Sequence, residues 1–243
     1  MIGQTFEYDG YNLANLLIIE NEIRRPLLDV DITWSGDHHI LDIRNSRKRI
    51  EVDVALVEKS KEELRKAELE LVKVLKKDGL KKLILDDYPG YHNLAILEGQ
   101  INFERFFRVG QTTLVFTTPD DFIRKNEETK KTFTTKTFTI NYEGTKEVQP
   151  LMKISGLGTE SKIIIEHKDG PFELYNLSSA HSGSYFDINH ETGEILFAGN
   201  MPSNRNHALR SRWITLYPGS NSFSVISNAE LTIEFIYHER MLR

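Results

Sequence analysis

The sequence predicts a mainly β chain with one main helix, in which an N-terminal α+β domain is followed by a β-sandwich. Three observations carry that prediction. Only the segment from Ser60 to about Asp78 repeats its apolar residues at helical spacing. Short runs of alternating apolar and polar residues, bounded by Gly, Pro, Asn and Asp, fill most of the remainder. A charged, threonine-rich stretch, RKNEETKKTFTTK from Arg124 to Lys136, offers few anchors for a core and separates two such regions. The boundary falls near residue 132, giving domains of 1–131 and 132–243, and 243 residues suffice for two domains of ordinary size.

In the first domain, Ile50, Val52, Val54 and Leu56 alternate with Glu51, Asp53 and Ala55, which is a strand with one buried side. The helix follows. Ser60 and Glu63 make a capping-box pattern, Leu64, Ala67, Leu71 and Leu75 share a face, and Gly79 stands where a left-handed C-cap is expected. Its other face carries Glu and Lys at neighbouring turns, such as Glu62 with Lys66, and reads as solvated. The apolar run from Lys82 to Leu85 stops at Asp86-Asp87-Tyr88-Pro89-Gly90, where proline fixes φ and glycine allows a positive one, so the chain turns. Three strands are expected next, Tyr91 to Leu97, Ile101 to Val109, and Thr112 to Thr117, broken by Gly99 and Gly110 and ended by Pro119. Between Arg24 and Arg49 the chain is polar and reads as a long irregular loop with Trp34, Asp37, His38 and His39 in its middle. A loop of that length inside a domain is functional or disordered rather than filler.

The second domain shows strands without helices: Thr132 to Tyr142, Ile163 to Ile165, Tyr185 to Ile188, Glu194 to Phe197, Trp213-Thr215-Tyr217, Phe223 to Ile226, and Leu231 to Tyr237. Turns at Lys168–Pro171, His190–Gly193 and Pro218–Gly219 space them as in a β-sandwich.

Composition limits the function classes. Hydrophobic residues at 39% and charged residues at 28% are ordinary for a soluble globular chain. With no cysteine, disulfides and thiolate chemistry are excluded, which suits assembly in a reducing cytoplasm. The first thirty residues lack the order of a signal peptide, and no apolar run approaches the ~20 residues that span a bilayer, so the expectation is cytoplasmic synthesis without membrane contact. The net charge of -5 is spread evenly over both halves, which excludes a basic nucleic-acid grip.

Residues with chemical potential are few. Neighbouring side chains of an extended segment point to opposite faces, so His38 and His39 cannot chelate one ion together. Asp86 and Asp87 are sequence neighbours, and a glycosidase needs its two carboxyls on opposite sides of one bond, so turn capping is the expected role. Ser155-Gly156-Leu157-Gly158 lacks the lysine and following helix of a phosphate loop. No nucleophile with an orienting base can be assembled, so no catalytic residue, cofactor or metal site is assigned. Arg205, His207 and Arg210 beside Trp213 form a candidate partner or sugar face. They do not reproduce the galectin ligand order, and the expected reading is a core tryptophan with surface arginines.

The order D-D-x-P-x-Y, then x-A-x-L-x-G, then a glycine, a T-x-L-x-F strand and a proline exit, resembles the distal tail protein family of long-tailed phages that infect Gram-positive hosts. The residues concerned are Asp86, Asp87, Pro89, Tyr91, Ala95, Leu97, Gly99, Gly110, Thr112, Leu114, Phe116, Pro119 and Phe122, with Phe6, Tyr8, Gly10, Arg25 and Pro26 upstream. More weakly, W-I-T-L-Y-P-G-S-N-S-F from Trp213 to Phe223 is similar to the last third of the same family. The resemblance implies a structural virion protein at the tail tip, with a first domain closing into a hexameric ring and a second, galectin-like or carbohydrate-binding-module-like sandwich. It implies as partners further copies of the chain, the tail tube protein, a tail-tip protein and receptor-binding or other baseplate proteins. DNA would pass through the ring unbound, and the segment holding Trp34, Asp37, His38 and His39 would be an assembly loop. The alternative from another class is a carbohydrate-binding adhesin module that recognises host cell-wall sugar, and a cell-wall hydrolase is the third.

Overall fold

The computed structural model describes the chain apart from residues 1–3, 26–29, 36–38, 46–47, 58–59, 99–109, 159–160, 176, 178–182, 200, 203–210 and 243, and gives the backbone alone at 30–35, 39–45, 61, 64 and 201–202. Contacts divide it into two units, Met1–Ile123 and Arg124–Leu242, each with its own apolar core.

The first unit contains β1 (Phe6–Tyr8), β2 (Tyr11–Asn12), β3 (Leu17–Ile19), β4 (Val30–Ser35), β5 (His39–Asn45), β6 (Lys48–Leu56), helix α1 (Lys61–Leu75), β7 (Lys81–Leu85), β8 (Tyr91–Leu97) and β9 (Gln111–Thr118), and β10 (Phe122–Lys125) runs over the point where the chain leaves it. Its main sheet has the order β2-β1-β7-β8-β9-β6-β3. Phe6 of β1 and Phe116 of β9 are three places apart in that order, about 14 Å on a flat sheet at the usual strand spacing. Their rings nevertheless lie 6.3 Å apart, edge to face, and Tyr8 lies 5.3 Å from Phe116. The sheet is therefore curled on itself around an aromatic centre. Its ends are drawn together by Gln4, whose amide donates to the Ile19 carbonyl and accepts the Ile19 N–H, both at 2.9 Å, as a neighbouring strand would.

Helix α1 covers this core with Ala67, Leu71, Val74 and Leu75. Its start is the expected capping box. Ser60 accepts from the Glu63 N–H, and Glu63 returns a 2.9 Å contact to the Ser60 N–H. Ser60→Ala is expected to destabilise the first unit by about 1 kcal/mol, read as a lower urea midpoint with unchanged m-value. The helix stops at Leu75, three residues before the expected end, and Gly79 takes its positive φ of 75° beyond it. Asp78 would offer nothing to bury on a further turn.

The irregular loop expected between Arg24 and Arg49 is not what forms. β4 and β5 pair antiparallel, with Trp34 opposite Ile40, Ser35 opposite His39 and a register shift between Thr33 and Trp34. Val30, Ile32 and Trp34 alternate with Asp31, Thr33 and Ser35, a strand pattern hidden by the polarity of the segment as a whole. The strand expected from Ile101 to Val109 lies outside the described residues.

The second unit continues with β11 (Thr129–Phe133), β12 (Thr137–Tyr142), β13 (Leu151–Ser155), β14 (Lys162–His167), β15 (Gly170–Tyr175), β16 (Tyr185–Asn189), β17 (Glu194–Phe197), β18 (Met201–Pro202), β19 (Gly219–Ile226), β20 (Thr232–Tyr237) and β21 (Arg240–Leu242). A six-stranded sheet, β11-β20-β13-β16-β17-β18, faces a four-stranded one, β12-β19-β14-β15, across one core. This is a β-sandwich. The strand expected over Thr132 to Tyr142 is two strands, because the turn at 134–136 carries the chain from one sheet to the other. That crossing stacks Phe133 on Phe138, centroids 4.1 Å apart, and Phe138 on Phe223 at 5.1 Å.

Tyr142 ties the end of this sandwich. Its hydroxyl donates to the Lys146 carbonyl at 2.7 Å and accepts the Arg240 N–H at 2.8 Å. Tyr142→Phe removes the hydroxyl partner of a part-buried N–H and C=O and is expected to lower stability by about 1–3 kcal/mol in denaturant unfolding. Gly144 is required beside it, since a Cβ there would sit 2.2 Å from the Tyr142 hydroxyl.

Candidate functional site

In the first unit two exposed features stand out. The turn after β7 is held by long-range polar contacts. Asp86 accepts the Thr5 N–H, and Asp87 is gripped by both Nε and Nη2 of Arg25, the latter at 2.7 Å. The Arg25 guanidinium also lies 5.2 Å over the Tyr88 ring. The two aspartates therefore fasten segments 62 and 81 residues away rather than capping their own turn. Beside them opens a cleft lined by Gln4, Ile19, Asn21, Glu22, Ile23, Asp86 and Asp87, an apolar floor with a carboxylate rim.

The second feature is the outer side of α1. Leu69 is 73% exposed there. Around it at helical spacing lie Arg65, Lys66 and Lys73, all exposed. Near the end of the helix Lys77 binds Asp9 at 2.6 Å, and the Tyr11 hydroxyl donates to Glu70 at 2.9 Å.

Elsewhere the outer face of β6 and β9 is closed by side-chain pairs. Arg24 donates two 2.9 Å bonds to Asp53, which also accepts from Thr113 at 2.7 Å, and Arg49 forks onto Glu98 at 3.1 Å. The Thr113 hydrogen bond is the main reason the Asp53 carboxyl is held below the usual range, with Asn21 and Arg24 adding to it.

In the second unit Trp213 is half-buried and packs on the core, 5.8 Å from Phe172 and 5.6 Å from His190. The strand phase expected here is shifted. Ile214 and Leu216 are the buried residues, and Leu216 alone of this segment forms a β-bridge, to Val148. W-I-T-L-Y places bulky groups on both faces, so alternation alone does not set the phase. His190 is enclosed. Its Nδ1 accepts the Ile214 N–H at 3.1 Å, which leaves the proton on Nε2, and burial pushes its pKa down to about 3. On the surface, the Tyr217 hydroxyl donates to Asp169 at 3.0 Å, and Lys168 lies 4.3 Å over the Tyr217 ring.

Of the residues singled out in the sequence, Trp34 and His39 lie in strands β4 and β5. Asp37, His38, Arg205, His207 and Arg210 lie outside the described residues. The cleft and the Arg25–Asp87 grip were not foreseen, because their members are scattered along the chain and no local pattern joins them. Among the described residues no three His, Asp or Glu side chains are placed to hold a metal ion, and no helix is long and apolar enough to cross a membrane.

Comparison with known proteins gives this architecture a family. Residues 38–118 match the model of the phage tail protein RIFT-related domain, and residues 143–240 match that of the siphovirus-type tail component, C-terminal domain. The two fall in sequence order, one in each structural unit. Over 97% of this chain and 98% of the other, the fold is that of the crystal structure of SPP1 Dit (gp 19.1), titled a paradigm of hub adsorption apparatus in Gram-positive infecting phages, with a TM-score of 0.74 at 17% identity. A chain of the phage p2 baseplate, solved in its activated conformation with Sr, matches with a TM-score of 0.50 at 10% identity over 92% of each chain. No curated protein matches. The fold and the paired domains thus define a structural component of a phage tail. The chain belongs to the distal tail protein family of siphoviruses.

Proposed function

We propose that this tail component is the hub subunit of the distal tail, and that six copies close into a ring joining the tail tube to the tail tip. The first unit forms the ring. The second unit is the dock for receptor-binding or other baseplate proteins, and DNA passes through the opening unheld. The observation that carries this reading is the succession of the two tail-component domains across both units of a chain whose whole length follows the fold of a protein titled a hub. Rotational closure of head-to-tail contacts generates such a ring, each contact burying on the order of 1,000 Å² or more to survive dilution. The even charge balance supports passage of DNA, since a basic lumen would hold phosphate.

Negative-stain microscopy of the purified chain is expected to show annular particles. Isolated subunits that bind glycans, or that hydrolyse cell wall, would replace the hub by the adhesin or the enzyme. The division of labour is tested separately. A fragment of residues 1–123 is expected to oligomerise in light scattering while residues 124–243 remain monomeric, and the reverse result would assign the ring to the sandwich.

A further inference from the structure

Building on the ring reading, we propose that successive subunits join by seating the outer face of α1 in the acidic cleft of the next copy. Leu69 is 73% exposed on the side of the helix opposite Ala67, Leu71 and Val74, which enter the core. Arg65 and Lys66 lie one turn before it and Lys73 one turn after, so an apolar tip stands among cations. The cleft is the complement. Ile19 and Ile23 form an apolar floor, Glu22 and Asp86 give the rim its negative charge, and Asp87 is held beside them by Arg25.

A ring requires two different, mutually complementary patches on one subunit, because each copy presents one to the copy ahead and the other to the copy behind. An acidic partner protein would account for the helix face alone, and a basic peptide for the cleft alone. A second copy of this chain accounts for both. Burial of Leu69 on the isoleucines excludes water and gives the contact its apolar centre, while the charged rims steer the encounter and fix its register.

The test uses the full chain and two double variants. Lys66→Glu with Lys73→Glu makes both patches acidic, and Asn21→Lys with Glu22→Lys offsets the acidic rim with two cations. Each variant alone is expected to raise the concentration for half-assembly about tenfold or more, because attraction becomes repulsion at every contact. An equimolar mixture is expected to restore assembly, since the two variants can alternate around an even-numbered ring. Far-UV circular dichroism matching the parent shows that folding is intact. If both variants assemble like the parent, or the mixture assembles no better than either alone, this contact is wrong while the ring stands. If the parent chain forms no ring at all, the hub reading falls with it.

Discussion

Phe235→Ala is expected to destabilise the second unit by about 3–5 kcal/mol, the largest effect of any single change considered, because the substitution opens a cavity between two sheets that cannot collapse onto it. Phe235 is fully buried on β20. Its ring lies 5.3 Å from Phe223, 5.9 Å from Phe138 and 6.3 Å from Phe133, residues that belong to β19, β12 and β11. It therefore joins both sheets at once, and its loss removes contacts from each. Denaturant unfolding of the full chain should show the transition of the sandwich moved to much lower urea, while the transition of the first unit is unchanged. A shift below about 1 kcal/mol, the usual outcome at exposed sites, would mean that the two sheets are not packed through this ring.

The second large effect is acid instability centred on His190. Desolvation is the main cause of its depressed pKa, about 3 against the ordinary 6.5, with His167 adding a smaller repulsion. The sign follows from which state binds the proton. As pH falls below about 6.5 the unfolded chain takes up a proton that the folded chain refuses until about pH 3, so stability is full above 6.5 and is lost on acidification. The expected slope is about 1.4 kcal/mol per pH unit within that window, or about 3 kcal/mol by pH 4. Protonation would also remove the acceptor from the Ile214 N–H. His167 is shifted the same way, chiefly by burial, and contributes to the total. Urea midpoints followed by tryptophan fluorescence at pH 7 and pH 4.5 check the effect. His190→Asn, which keeps an acceptor for Ile214 but cannot titrate, should flatten the dependence, and an equal slope in parent and variant would remove His190 as its cause.

How far the molecule was legible in its sequence depends on the range over which each signal acts. Features set by neighbouring residues read well. The Ser60–Glu63 box, the alternation of Ile50, Val52 and Val54, and the strand ending at Tyr237 each formed where local chemistry placed them. Features set by competition between faces read poorly. Trp213, Ile214, Thr215 and Leu216 are all compatible with a strand, and the core chose Ile214 and Leu216. The pairing of β4 with β5 was obscured because Asp, Thr, Ser, His, Arg and Asn together outnumber the apolar residues among them. Features set by distant residues were not visible at all. Nothing near Arg25 announces Asp87, and nothing near Ile19 announces Gln4. The proposed subunit contact is of this last kind, since Leu69 stands out only once Ala67, Leu71 and Val74 are known to face the core.

Everything in the functional account depends on closed self-association. Native mass spectrometry of the purified full-length chain across a range of concentrations tests this most directly. The expected result is a discrete species of six chains that gives way to single chains on dilution or at high salt, without a ladder of longer assemblies. A chain that stays monomeric at every concentration and salt level, or one that grows into open polymers, would contradict it.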